Sequence, residues 1–267
     1  MEDSLIDISM GAVAQIIYVL GYAGAGKSTL VKNFSLYLRD MGYRVATVNL
    51  DPGARMVQYS PDFDVREIIR LEDVMKNENL GPNGGLIRSV EILSRNIDVL
   101  QRRIRSLLCA NDWLLIDTTG QLELFAFRDL GDKITSVLKD APNLGLFIID
   151  ATTLNKPSDI VMTQLVAMAI QLKLSLDVIT AINKIDLTGD KVKSMLKSLY
   201  EDPDGFVDYM LESEVDTYSG MALELVEIIR KYIPPARIVA MSAKSGKGFR
   251  DLFDIIHESF CTCGDLT

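Results

Sequence analysis

The chain has 267 residues, 48% hydrophobic and 24% charged, with a net charge of −9 and a pI near 4.8. That is enough for one large α/β domain with a substantial core, and so acidic a chain has no bulk electrostatic attraction to nucleic acid or to an anionic membrane. The opening MEDSLIDISMG carries acids where a secretion signal needs basic residues, and Gln171, Lys173, Ser175 and Asp177 interrupt the longest apolar run; a cytoplasmic protein with no membrane span is expected.

In chain order, the first strand is expected at QIIYVL (15–20) and runs into GYAGAGKS, Gly21 to Ser28, with the helical KSTLVKNFSLYLRDM behind it. Strand, glycine-rich turn and helix are the context that G-x-x-x-x-G-K-[ST] requires of a phosphate loop. The amides of Gly24, Ala25, Gly26, Lys27, Ser28 and Thr29 can curl around phosphate oxygens at the positive end of the helix. Lys27 is placed to reach the β- and γ-phosphates and the Ser28 hydroxyl to bind Mg²⁺.

The second strand, YRVATVNL (43–50), ends in NLDPG. A carboxylate at the C-terminal end of a parallel strand faces the ligand crevice, so Asp51 is a candidate for the metal shell or for polarising a water; a plain Asp-Pro-Gly turn is the alternative. Residues 52–105 depart from simple alternation and read as an insertion. It contains ENLGPNGGLI, whose Gly81-Pro82-Asn83 reads as a tight polar turn, and the helical SVEILSRNIDVLQRRIRSLL, whose arginines 102, 103 and 105 read as a solvated face. Cys109, at the apolar end of that pattern, is expected in the core.

The third strand, DWLLID (112–117), leads into DTTGQLE. Asp117 is placed as the acid that holds Mg²⁺, the Gly120 amide faces the γ-phosphate, and Gln121 stands where a glutamine orients the attacking water, with Glu123 beside it. GLFIID (145–150), the helical KPSDIVMTQLVAMAIQL and DVITAIN (177–183) follow, then NKID, Asn183 to Asp186. A carboxylate at Asp186 can accept from guanine N1–H and the 2-amino group, whereas adenine would leave it unpaired; such pairing discriminates by about 10⁴ or more. Lys184 can lay its stem over the base, and Asn183 can tie this segment to the phosphate loop. Residues 189–235 read as a helical insertion in which Met210, Leu211 and Met221 are expected to be ordinary core packing, with nucleotide-dependent apolar surface as the alternative. After the last strand, RIVAMSA (237–243), Ser242, Ala243 and Lys244 of SAKSG frame the base, with the Ala243 amide offered to guanine O6. His257 reads as surface or partly buried structure, and Cys261 and Cys263 are too few for a zinc site unless a partner chain supplies further ligands.

Near-continuous apolar strands separated by helices predict an α/β P-loop NTPase fold of three layers, with a mostly parallel sheet and helical insertions, in a single domain over 1–267. The order of the three nucleotide motifs favours GTP over ATP.

The ordered set GYAGAGKS, NLDPG, LGPNGG, DTTGQLE, NKID and SAK resembles the GPN-loop GTPases across essentially the whole chain, and the Gly-Pro-Asn tripeptide makes the resemblance specific. It implies a homodimer in which each Gly81-Pro82-Asn83 reaches the partner's site, with Asn83 acting in trans on a γ-phosphate or product phosphate. It further implies Mg²⁺ as cofactor, GTP and GDP as substrate and product, and protein partners in RNA polymerase assembly. Tyr22 stands where related dimeric ATPases carry a second lysine. Thr119 replaces the proline of many relatives and is expected to soften its loop. A short C-terminus fits an archaeal or minimal member. Two rival functions remain at this point: a nucleotide-gated chaperone or binding module in which hydrolysis is incidental, and an ATPase of the neighbouring class.

Overall fold

The computed structural model describes residues 14–189, 191–213, 219–232 and 237–260; Cys261 and Cys263 lie outside them. Seven parallel strands form one sheet in the order β3-β2-β4-β1-β5-β6-β7. They are β1 (Gln15–Gly21), β2 (Val45–Asn49), β3 (Phe63–Asp64), β4 (Trp113–Asp117), β5 (Asn143–Asp150), β6 (Val178–Asn183) and β7 (Ile238–Ala240). Parallel strands need both faces covered, and the two cores answer that need. One face, with Ile17, Val19, Leu115 and Ile148, packs on α1 (Lys27–Asp40) and α11 (Phe249–Phe260) through Phe34, Leu38, Phe249 and Leu252. The other, with Ile16, Tyr18, Leu20 and Ile116, packs beneath the remaining helices.

Between β2 and β4 lie β3 and three helices, α2 (Leu71–Asn77), α3 (Pro82–Arg95) and α4 (Ile97–Leu108). The single helical pattern read over residues 89–108 is broken at Asn96, whose own amide and side chain both turn back onto Ile92. The two-residue β3 carried no periodicity of its own. Cys109 is exposed, not core, because α4 ends one residue earlier and presents it at its C-terminal edge. After β4 come α5 (Leu122–Ala126) and α6 (Asp129–Val137), and after β5 comes α7 (Pro157–Leu174). Among the described residues no helix is long and apolar enough to cross a membrane. Between β6 and β7 stand α8 (Lys191–Glu201), α9 (Pro203–Ser213) and α10 (Ser219–Tyr232). There Met210 is buried, while Leu211 and Met221 are exposed.

The sheet order puts the C-terminal ends of β2, β4, β1, β5 and β6 side by side along one edge. Asp51, Asp117, the phosphate loop, Asp150 and Asn183 follow or end those strands, so residues more than 130 positions apart converge at the crevice where open α/β sheets bind ligands.

Candidate functional site

The phosphate loop leaves β1 and enters α1 at Gly26, which has φ of 103°. A Cβ there would collide with the Asn183 amide nitrogen, so a glycine is required both by the backbone and by the neighbour. The neighbour is itself a fastener. Asn183 donates from Nδ2 to the Ala25 carbonyl at 2.8 Å and accepts at Oδ1 from the Ala243 amide at 2.7 Å. One buried side chain thereby joins the phosphate loop to the segments after β6 and β7. Asn33 of α1 adds a bond to the Ala243 carbonyl at 2.7 Å. The Ala243 amide, read from sequence as a donor to guanine O6, is thus engaged by Asn183, whose buried oxygen requires a donor. The Lys244 amide has no acceptor among the described residues.

On the base side, a cavity of about 360 Å³ is lined by Gly26, Thr29, Gln58, Asn183, Lys184, Asp186, Leu187, Ser242, Ala243 and Lys244. Asp186 is exposed to it. A hydrogen bond from the Ser242 hydroxyl, with Lys244 and Lys247 nearby, holds its carboxyl below the usual range and keeps it ionised. Lys184, in the left-handed region at φ 66°, sends its ammonium to Asp150 at 2.5 Å. Burial alone would raise Asp150, but Lys184 and Thr152 overrule it and keep the carboxylate charged. Asp150 was not singled out from sequence; its place at the end of β5, beside the NKID strand, was the available signal.

On the phosphate side, Lys27 is buried and donates to the Gly21 and Tyr22 carbonyls at 2.9 and 3.2 Å. Burial lowers its pKa, opposed by the charges of Asp117 and Asp51. Asp117 is 3% exposed, and burial raises it to about 6 against a hydrogen bond from the Ser28 hydroxyl, the charge of Lys27 and a hydrogen bond from Tyr59. Its Oδ2 accepts from Tyr59 at 3.2 Å, whereas Oδ1 is buried with no hydrogen-bond partner. Asp51 is raised mainly by burial; it accepts from the Gly53 amide at Oδ1 and from the Gly120 amide at Oδ2, both at 2.9 Å. The Gly120 amide, read as facing a γ-phosphate, is therefore held by Asp51, because a buried carboxylate needs such donors.

The Asp51 turn is braced from β3. Asn49 donates to Asp64 at 3.0 Å and accepts from the Asp51 amide at 3.1 Å. Arg66 grips Asp64 with two nitrogens and donates to the Ala54 carbonyl at 2.8 Å. Neither Asp64 nor Arg66 stood out in the sequence. Thr119 is buried, and its hydroxyl donates to the Gln121 carbonyl at 2.8 Å. Gln121 and Glu123 are exposed at the start of α5. Hard oxygen donors at Ser28 and at the unpartnered Asp117 oxygen suit Mg²⁺. Among the described residues no cluster of three His, Cys, Asp or Glu offers an all-protein metal cage. A larger cleft of about 620 Å³, beside Glu91, Phe127 and Arg128, holds none of the motif residues.

A family described as "Conserved hypothetical ATP binding protein" matches residues 19–262. A GPN-loop GTPase of Pyrococcus abyssi is 36% identical over 252 residues, which span 94% of this chain and all of the relative. The chain belongs to the GPN-loop GTPases. The plant relative GPN-loop GTPase QQT1 of Arabidopsis thaliana is 33% identical over 222 residues, covering 80% of this chain and 74% of that one. The crystal structure of a GTPase in apo form from Pyrococcus abyssi superposes with a TM-score of 0.85 at 35% identity, over 95% of this chain and all of that one.

The family's tripeptide opens α3. Gly81 is the cap and Pro82 the first helical residue, a position where proline's missing N–H costs nothing. The turn read from sequence is thus a helix N-terminus. It is fixed from behind by Gly85, where a Cβ would press on Met75 at 2.5 Å in the α2–α3 contact. Gly81, Pro82 and Asn83 are all exposed, and no hydrogen bond from the described residues engages the Asn83 side chain.

Proposed function

We propose that the protein hydrolyses GTP to GDP and phosphate, with Mg²⁺, as a homodimer in which each protomer's Asn83 completes the partner's site. The observation that carries the guanine reading is the Asn183 fastener, which sets the ionised Asp186 in the same cavity as Gly26 and Lys184. The family description speaks of ATP, but adenine leaves Asp186 without donors, so GTP is favoured. Lys184, anchored by Asp150, covers one face of the base, and Ser242, Ala243 and Lys244 close its edge.

In this reading the amides of Gly24 to Thr29 hold the phosphates, and Lys27 exchanges its two carbonyl partners for phosphate oxygens. Ser28 and Asp117 would hold Mg²⁺, which would supply charge neutralisation to the phosphates. Asp51, with both oxygens already accepting amides, acts as a charge near Lys27 and the attacking water. Gln121, with Glu123 behind it, orients that water. Asn83 is rigidly presented on its helix and adds a neutral donor, which stabilises developing charge less than an arginine finger would, so turnover is slow. Hydrolysis serves as a nucleotide-driven assembly switch, with the RNA polymerase partners that the resemblance implies.

The test is steady-state GTP hydrolysis by wild type and Asn83→Ala, with both sized by light scattering. A dimeric variant with turnover reduced tenfold or more supports the reading. Unchanged turnover removes Asn83 from the chemistry and favours the rival, a nucleotide-gated binding module in which GTP and GDP alter partner affinity and hydrolysis is incidental.

A further inference from the structure

The segment from Arg55 to Pro61 crosses from β2 toward β3 and is clamped at both ends. Arg66 holds the Ala54 carbonyl at one end. At the other, Asp62 accepts from the Thr47 amide at 2.7 Å and returns its own amide to the Thr47 carbonyl at 2.8 Å. Between these clamps Gln58 lies against Thr29 of α1, with 3.5 Å between their oxygens, and Tyr59 packs its ring against the core beside α1. The Tyr59 hydroxyl then donates to Asp117 Oδ2 at 3.2 Å, across 58 positions of sequence.

We propose that Tyr59 is a positioning residue for Asp117: beside the Ser28 hydroxyl, which also bonds this carboxylate, it engages Oδ2 and leaves the buried Oδ1 as the oxygen free for the metal. The inference rests on the reading above, that Asp117 holds Mg²⁺. A carboxylate rotates about its last bond and has two equivalent oxygens. A hydrogen bond that fixes one of them decides which is presented, and such outer bonds change metal affinity by about 10- to 100-fold. Tyrosine suits the task because its hydroxyl donates without adding charge, while its ring is held by packing rather than by the ligand. The clamps at Ala54 and Asp62 carry the ordering cost in advance, so nothing need be organised when the metal arrives.

The experiment compares wild type, Tyr59→Phe and Asp117→Asn in the dimer as purified. Mn²⁺ binding in the presence of GDP is followed by electron paramagnetic resonance, and GDP affinity in EDTA is measured separately by calorimetry. For Tyr59→Phe, half-saturation is expected at about tenfold more Mn²⁺, with GDP affinity in EDTA unchanged. An equal fall of GDP affinity in EDTA would make Tyr59 merely structural. Unchanged Mn²⁺ binding, or tighter binding because the hydroxyl competes with the metal, overturns the proposal. If Asp117→Asn also leaves Mn²⁺ binding unaltered, the metal role of Asp117 itself fails; if only Tyr59→Phe is silent, the failure is confined to Tyr59.

Discussion

Asp117→Asn is expected to make the nucleotide-free protein more stable at neutral pH while removing its activity. Burial lifts the carboxyl from 3.8 to about 6. A rise of about two pH units corresponds to about 3 kcal/mol. The folded pKa lies above the unfolded one, so this group's contribution is most favourable below about pH 4 and is lost as pH rises through 6. At pH 7 the folded protein therefore carries a buried charge that the asparagine variant does not. Asparagine keeps an acceptor for Tyr59, so little else changes there. In a chain of 267 residues, about 3 kcal/mol corresponds to roughly 5–10 °C of melting temperature. Thermal melts without nucleotide, at fixed protein concentration and across pH 4.5 to 7.5, should show the variant ahead at pH 7 and the gap reduced to about half by pH 5 and about a third by pH 4.5. Adding Mg²⁺ to the GDP-bound protein should stabilise the wild type further and the variant not. A gap that does not vary with pH, or a variant less stable at pH 7, would refute the account of Asp117 as a strained functional carboxylate.

Asp186→Asn should weaken GTP binding by about 10²-fold or more, with ATP binding unaltered, as measured by competition calorimetry. Gly26→Ala places a methyl on the Asn183 amide and forces an alanine to φ 103°, so nucleotide affinity should fall at least tenfold, with about 2 kcal/mol of stability lost in urea melts. Arg66→Met leaves Asp64 without its bidentate partner and frees the Ala54 carbonyl; urea melts should register a loss of about 2 kcal/mol, partly restored by adding Asp64→Asn.

The strands were legible because each long one is buried on both faces and reads as a continuous apolar run; QIIYVL and GLFIID admit little else. What escaped was short or broken: β3 has two residues, too few for any period, and the α3–α4 break depends on Asn96 folding its side chain back onto Ile92, a choice local composition does not force. Cys109 was misplaced by a single residue of helix end, the least determinate feature of any sequence reading.

The site divides along a different line. Gly26, Lys27, Asp117, Asn183 and Asp186 stand in short segments whose function needs a particular backbone path, so the spacing itself records the geometry. Asp150, Asp64, Arg66 and Tyr59 need only reach one of those residues, and many sequence positions could supply such a reach. Their partners lie 34 positions away for Asp150 with Lys184 and 58 for Tyr59 with Asp117. Arg66 is bound to Asp64 only two positions away, yet that pair matters because β3 lies beside β2 and the Asp51 turn, which pairing of the strands alone reveals. The same logic explains why Gly120 and Ala243 were assigned to ligand atoms. Sequence shows that an amide is present, whereas only the packed structure shows the buried Asp51 and Asn183 oxygens that claim it. Asn183, Asp186 and Asp117 are each held by a partner outside the motif that names them.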